Sequence, residues 1–317
     1  MGAGRSKVHG RGPWQKGSRH SRKTPWPTSR WRRTAGRACD YPSPDHLLPH
    51  SPPRLIGLPY DASSSFLRGA ADAPPLIREA LRSTSWNTWC EQLLGLDGPG
   101  GLSDAGDLAL PPTAEARALI EAGIGAVLAG GNRPVALGGD HSVTYPVLRA
   151  VARVHRSLTI LHVDAHPDLY DEFEGDRYSH ACPFGRIMEE RLASRLVQVG
   201  IRAMNPHQRS QAERYGVEII DMRAWQAGAR PSVDGDVYLS IDLDGLDPAF
   251  APGVSHRDPG GLSVREALGL VQGAGGRIVG ADIVEYNPRQ DLGGVTAIVA
   301  AKLVREIAGR MMGDAAL

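Results

Sequence analysis

From about residue 54 the chain alternates short, uninterrupted apolar runs with segments whose apolar residues recur at helical spacing. The runs Arg54–Tyr60, Pro134–Leu137, Leu158–Val163, Leu196–Val199, Val217–Ile220, Val237–Ile241 and Arg277–Val284 are bounded by Gly, Asp or Pro, which predicts strands. Pro74–Leu81 opens with proline, as first helical turns often do. Thr113–Leu128 has helical periodicity, a Thr cap and a Gly130-Gly131 stop. Ser263-Val-Arg-Glu266 is a capping box before another helix, and Val295 to Met312 reads as a long final one. Strands that are apolar throughout, separated by helices, predict a mostly parallel sheet covered on both faces. No linker or repeat interrupts residues 53–317, so they are expected to form one α/β domain.

The first 52 residues have neither periodicity. Residues 1–37 carry eleven Lys/Arg and no Asp or Glu, so the overall charge of +1 hides a basic arm on an acidic body. With no apolar face to offset its ordering entropy, segment 1–52 is expected to be disordered. Its Arg residues, with Trp14, Trp26 and Trp31, suit phosphate and base contacts, and its acid-free composition also suits an organellar address. The plainer expectation is an extension with no role in catalysis and no nucleic-acid partner. It has no apolar core of a secretory signal, and no run in the chain approaches the roughly 20 residues of a membrane span. Three cysteines without a CxxC pair fit a reducing compartment, and the expected location is cytoplasmic.

The chemistry gathers just past predicted strands, where open α/β sheets place their ligands. Gly138-Gly139-Asp140-His141-Ser142 follows one strand, Asp164-Ala165-His166-Pro167-Asp168 a second, and Asp242-Leu243-Asp244-Gly245-Leu246-Asp247 a third. Residues two apart share a face if extended geometry persists, so these carboxylates and imidazoles can converge. Unpaired, they would repel and desolvate at high cost. A carboxylate-rich set with two imidazoles and no thiolates suits Mn²⁺, and its size suits two ions sharing carboxylates around a hydrolytic water.

In this order, GGDHS, DAHPD and SIDLDGLDPAFAPG resemble the signatures of the ureohydrolase (arginase and agmatinase) family, from about Leu55 to Met312. The resemblance implies a three-layer α/β/α fold with a central eight-stranded, mostly parallel sheet, two Mn²⁺ per chain, hydrolysis of a guanidinium with release of urea, and a homo-oligomer, trimeric or hexameric. It implies that His141, Asp164, Asp168 and Asp244 bind one ion or bridge the pair, and that His166 and Asp242 complete the second ion. Glu285, in Asp282-Ile-Val-Glu285, resembles the residue that orients the guanidinium, and an ion pair with a nearby Arg is the alternative. His180 resembles the loop histidine that shuttles protons.

The substrate tail is read by other residues. Three handles of arginases for the amino-acid head are replaced here by Tyr170, Asp176 and Asn205. Asp176 and Glu172 near the entrance would attract a cationic tail. The stretch from Gly57 to Arg78 is also more similar to agmatinases. Agmatine is therefore the first expectation, ahead of a guanidino acid or free guanidine and of arginine. Arg257 could instead meet the carboxylate of a guanidino acid, and His256 is left unassigned. Two rivals remain: an inactive scaffold whose basic arm binds nucleic acid, and a one-zinc amide hydrolase.

Overall fold

The computed structural model describes Gly2 and residues 51–313. The expectation of disorder over 1–52 therefore lies almost wholly outside the described residues. The elements run β1 (Pro53–Gly57), α1 (Ala73–Leu81), β2 (Ser103–Asp107), α2 (Glu115–Ala129), β3 (Arg133–Leu137), α3 (Thr144–Val154), β4 (Leu158–Val163) and α4 (Pro183–Glu189). They continue with β5 (Arg195–Ile201), α5 (Pro206–Tyr215), β6 (Glu218–Asp221), α6 (Met222–Gln226), β7 (Asp236–Asp242), α7 (Val264–Gly273), β8 (Arg277–Val284) and α8 (Val295–Gly313).

The strands form one eight-stranded sheet in the order β2-β1-β3-β8-β7-β4-β5-β6, and every pairing is parallel. Apolar residues of α1, α6, α7 and α8 cluster on one face, and those of α2, α3, α4 and α5 on the other. Alternation along each strand feeds both cores: in β4, Leu158 and Ile160 join the second cluster while Leu161 and Val163 join the first. The expected three-layer α/β/α fold is the one observed.

On the second face this apolar pattern is broken by one polar row. Strand register pairs Gln198 with His162, His162 with Ser240, and Ser240 with Asp282, and all four side chains are fully buried. The row crosses β5, β4, β7 and β8, just before the strands end at the residues of the site.

Local differences from the expected elements have physical causes. β2, with the sequence SDAGD, has no apolar residue other than one Ala and escapes any hydrophobic reading. Arg78 of α1 holds this edge strand by donating to Asp104 Oδ2 at 2.9 Å, to Gly106 O at 3.0 Å and to Asp107. α2 begins at Glu115 with no side-chain cap, so Thr113 contributes only its carbonyl, which accepts from Ala116 N. The capping box Ser263–Glu266 forms as expected.

Gly139 fixes how the end of β3 approaches the loop after β1. A Cβ there would lie 1.7 Å from the Tyr60 carbonyl oxygen. Gly139→Ala should therefore lose about 1–3 kcal/mol of stability through forced backbone displacement. Urea unfolding of the purified variant checks this, with a shift in midpoint at constant slope expected.

Candidate metal centre and active-site cavity

The four central strands β3, β8, β7 and β4 deliver the site from their carboxyl ends. Asp140 caps the short 3₁₀ turn His141–Val143 by accepting from Ser142 N at 3.1 Å, which turns the His141 ring inward over the sheet edge. There His141 Nδ1 faces three carboxylates at once: Asp164 Oδ2, Asp168 Oδ2 and Asp242 Oδ2, each at 3.1 Å. A second set lies beside it, with His166 Nδ1 3.1 Å from Asp244 Oδ2 and 3.4 Å from Asp164 Oδ1. All six residues expected to bind metal are therefore brought together.

Their partition differs from the expected one. Asp242, not Asp244, meets His141, Asp244 meets His166, and Asp164 is the carboxylate that touches both imidazoles. Extended geometry does not persist past Asp242: its Oδ1 accepts from Asp244 N at 2.8 Å and starts the 3₁₀ turn Leu243–Gly245, which swings Asp244 to the other set. Asp168 likewise sits after the strand in a left-handed conformation, φ 50°, and reaches His141 alone.

Backbone and side-chain donors hold each group. Asp164 Oδ1 accepts from His166 N at 2.5 Å, and Asp244 Oδ1 from Ala165 N at 3.2 Å. His141 Nε2 lies 3.1 Å from Ser240 Oγ, which donates to Asp282 Oδ1 at 2.7 Å. Asp282 also accepts from Thr144 Oγ1 and Tyr238 OH, each at 2.8 Å, so it gathers three hydroxyl donors. With its proton given to Asp282, the Ser240 hydroxyl accepts from His141 Nε2–H, and the Nδ1 lone pair is aimed at the three carboxylates.

That arrangement is a test of fit for a metal. Among the described residues Nδ1 of His141 is buried without a well-formed hydrogen bond, and a lone pair facing three carboxylates there suits a cation between them. Burial, with Asp244 and Asp164 as neighbouring charges, pushes the Asp242 carboxyl well above the usual range. Burial and Asp164 also raise Asp244 despite the pull of His166. Two imidazoles and four carboxylates, with no thiolate, fit Mn²⁺ ions.

A cavity of about 200 Å³ opens onto these residues. It is lined by His166, Asp168, Asp242, Asp244, His180 and Glu285, and also by Ser65, Tyr170, Phe173, Gln208 and His256. Glu285 follows β8 at φ 63°, a conformation that strains a residue with a Cβ and recurs at functional sites. Its Oε1 accepts from His141 N at 2.9 Å and from His180 Nδ1 at 3.0 Å. The alternative of an ion pair between Glu285 and an Arg is not what forms: its charged partner is His180. At the other side of the His180 ring, Nε2 lies 2.8 Å from Ser65 Oγ, a hydroxyl able to accept or donate.

The residues expected to read the substrate tail lie elsewhere. The Asp176 carboxylate accepts from Tyr178 N at 2.8 Å within its own turn, and neither it nor Glu172 lines the cavity. Arg257 is tied through Nε to Pro252 O at 2.8 Å and through Nη2 to Gln290 O at 2.7 Å, and it does not line the cavity. Asn205 caps α5 by accepting from Gln208 N and donates to Tyr170 OH at 2.6 Å, so these replaced handles join into one wall. Asp247 is a turn residue, accepting from Ala249, Gly260 and Gly261 N–H groups. Sequence reasoning missed His162, Gln198, Ser240, Asp282 and Arg202. A polar residue in the middle of an otherwise apolar strand was the available signal for the first three.

A family model described as the arginase family matches residues 52–309. The chain belongs to the arginase family. It is thus a hydrolase acting on the C–N bonds of linear amidines. Arginase 1, mitochondrial, of Arabidopsis thaliana is 47% identical over 278 residues, covering 81% of this chain and 80% of that protein. The mitochondrial agmatinase of Gallus gallus is 35% identical over 279 residues, covering 80% and 79%. The solved arginase of Medicago truncatula superposes with a TM-score of 0.79 at 44% identity, covering 83% of this chain and 88% of that one. An agmatinase is thus among the relatives, as expected, but at lower identity than the plant arginases.

Burial alone would push the His180 imidazole down, but the hydrogen bond and charge of Glu285 outweigh it and raise it to about 9. In the metal-free protein, His180 should titrate near 9, and Glu285→Gln should return it toward the ordinary 6.5, as followed by histidine NMR. Because the folded value is raised, the pair's contribution to stability is complete below the unfolded value and is lost as pH rises through the folded one.

Proposed function

We propose that the protein hydrolyses the guanidinium group of L-arginine, releasing urea and ornithine, with two Mn²⁺ ions held by His141, Asp164, Asp168 and Asp242 on one side and His166, Asp164 and Asp244 on the other. The observation that carries the reading is the pair of imidazole–carboxylate sets sharing Asp164 beneath a cavity that also holds Glu285 and His180. When bound, the ions supply a hydroxide nucleophile at neutral pH.

The chain's own groups perform the rest. Both protein donors to Glu285 fall on Oε1, which leaves Oε2 to accept from the planar guanidinium and fix its orientation over the ions. His180 is anchored through Nδ1 by Glu285, and its Nε2, which faces Ser65 Oγ at 2.8 Å and Ser65 N at 3.3 Å, is the nitrogen that would exchange a proton with the departing amine once it is released from Ser65. The cavity lining also includes the Ser65 and Tyr170 hydroxyls and the Gln208 amide, polar groups that support hydrogen bonding to an amino-acid head.

This order of substrates reverses the one expected from the sequence. The cationic-tail argument loses its basis once Asp176 and Glu172 fall outside the cavity, and plant arginases are the relatives at 44–47% identity. Agmatine stays as a second reading because no Lys or Arg among the described residues lines the cavity to meet a carboxylate. The relatives' names place several of them in mitochondria or chloroplasts, which supports an organellar address at least as well as a cytoplasmic one. No helix among the described residues is long and apolar enough to cross a membrane. Trimeric or hexameric assembly is part of the same proposal, to be read by light scattering.

Urea release by the Mn²⁺-loaded protein from arginine, agmatine and guanidinobutyrate tests the reading. Arginine should exceed agmatine at least about tenfold in kcat/KM, the scale of one or more satisfied hydrogen bonds. Equal or better turnover of agmatine would establish the second reading, and urea from none of the three would reject both. His180→Asn should retain both metals and slow turnover by about 10²–10⁴. Asp244→Ala should lose metal, measured by elemental analysis, together with activity.

A further inference from the structure

The polar row contains one imidazole to which neither the family motifs nor the reaction assigns a task. His162 lies in the interior of β4, fully buried, its ring tilted 31° against that of Phe184 with centroids 4.0 Å apart. Its Nε2 is 2.8 Å from Asp164 Oδ2, and its Nδ1 is 3.0 Å from Gln198 Nε2.

Hydrogen-bond logic assigns every proton in this group. The Pro167 carbonyl can only accept, so the Gln198 amide must turn its NH₂ toward it, at 2.7 Å. The same nitrogen faces His162 Nδ1, which must then accept the second proton. A neutral His162 therefore carries its proton on Nε2 and donates it to Asp164 Oδ2. Pro167 belongs to the same segment as Asp164 and His166, so the metal-binding loop fixes its own orienting group through β5 and β4.

The consequence falls on Asp164. Its Oδ2 accepts from His162 and its Oδ1 from His166 N, one donor on each oxygen. Each oxygen keeps one free lone-pair direction, Oδ2 on the side of His141 and Oδ1 on the side of His166. We infer that His162, locked in its Nε2–H tautomer by Gln198, is a positioning residue that divides the Asp164 carboxylate evenly between the two metal positions. His162 is not itself a ligand, because both of its nitrogens are engaged. The inference rests on Asp164 being the shared ligand of two ions.

The test is calorimetric titration of Mn²⁺ into the chelator-stripped full chain. The wild type should take two ions, and failure to bind any would reject the two-metal reading rather than this one. His162→Leu should still take two ions, with affinity for at least one about 10–100-fold weaker, the scale of losing an outer hydrogen bond to a ligand. Gln198→Leu should weaken binding in the same direction and by less. Unchanged affinity in both variants overturns the proposal, and so does loss of one whole site in His162→Leu, which would make His162 a ligand. If His162→Leu does not fold, the Gln198→Leu titration decides together with ¹⁵N-histidine NMR of the wild type loaded with diamagnetic Zn²⁺. The His162 signals should report hydrogen on Nε2 and a hydrogen-bond-accepting Nδ1, and the Nδ1–H tautomer overturns the assignment.

Discussion

A polar side chain inside a parallel sheet must find its partner on the neighbouring strand or leave a buried group unsatisfied, at about 1–3 kcal/mol each. Gln198, His162, Ser240 and Asp282 meet that constraint together, one on each of four adjacent strands, with Gln198 Oε1 the atom of the row left without a partner among the described residues. A slip of one residue between any two of these strands would turn one side chain toward the opposite, apolar core. The row therefore locks register where the site needs it. Asp164 lies two residues beyond His162, and Asp242 two beyond Ser240, so each ligand stands on the same face directly past a member of the row. Asp164 and Asp242 are thus placed from inside the sheet, and the turns that follow place His141, His166, Asp168 and Asp244 around them.

Loops add the strained and adjustable parts. Asp168 and Glu285 both adopt positive φ, and each is held there by its surroundings: the Asp168 carbonyl accepts from Phe184 N, and Glu285 N donates to Gly139 O. Asp140, fully buried and pushed up to about 7 by burial and by the nearby Glu285, accepts from Ser63 N at 3.0 Å and ties the Ser63–Ser65 loop to the turn that carries His141. The hydroxyl beside His180 and the first imidazole ligand thereby share one anchor.

Much of this was legible in the sequence, for identifiable reasons. Seven strands announced themselves because both faces of the sheet are covered and their runs are apolar, and the six ligand positions stood out because carboxylates cluster where burial should exclude them. β2 was invisible because its stability comes from Arg78 rather than from apolar burial. The pairing of Asp242 and Asp244 with particular imidazoles was misjudged because a 3₁₀ turn begins between them, a choice made by one hydrogen bond. Asp176 and Arg257 are held by neighbouring backbone groups for a related reason: charge at an expected entrance says nothing about which nearby carbonyl or amide will claim it.

Arg202 bears on how such a protein can change over generations. Its guanidinium donates to Asp244 O and Asp258 O at 2.7 and 2.5 Å and reaches Gly245 O and Leu246 O, clasping both ends of the segment that carries His256 to the cavity. Because the clasp grips carbonyls, which every residue possesses, it does not depend on the identity of the side chains it holds, whereas Ala251, Gly253, Val254 and Ser255 between its jaws are fixed by burial and packing. His256, half-buried at the cavity, is the position in the clasped segment where a substitution would change the cavity lining while the backbone that carries Asp244 stays held.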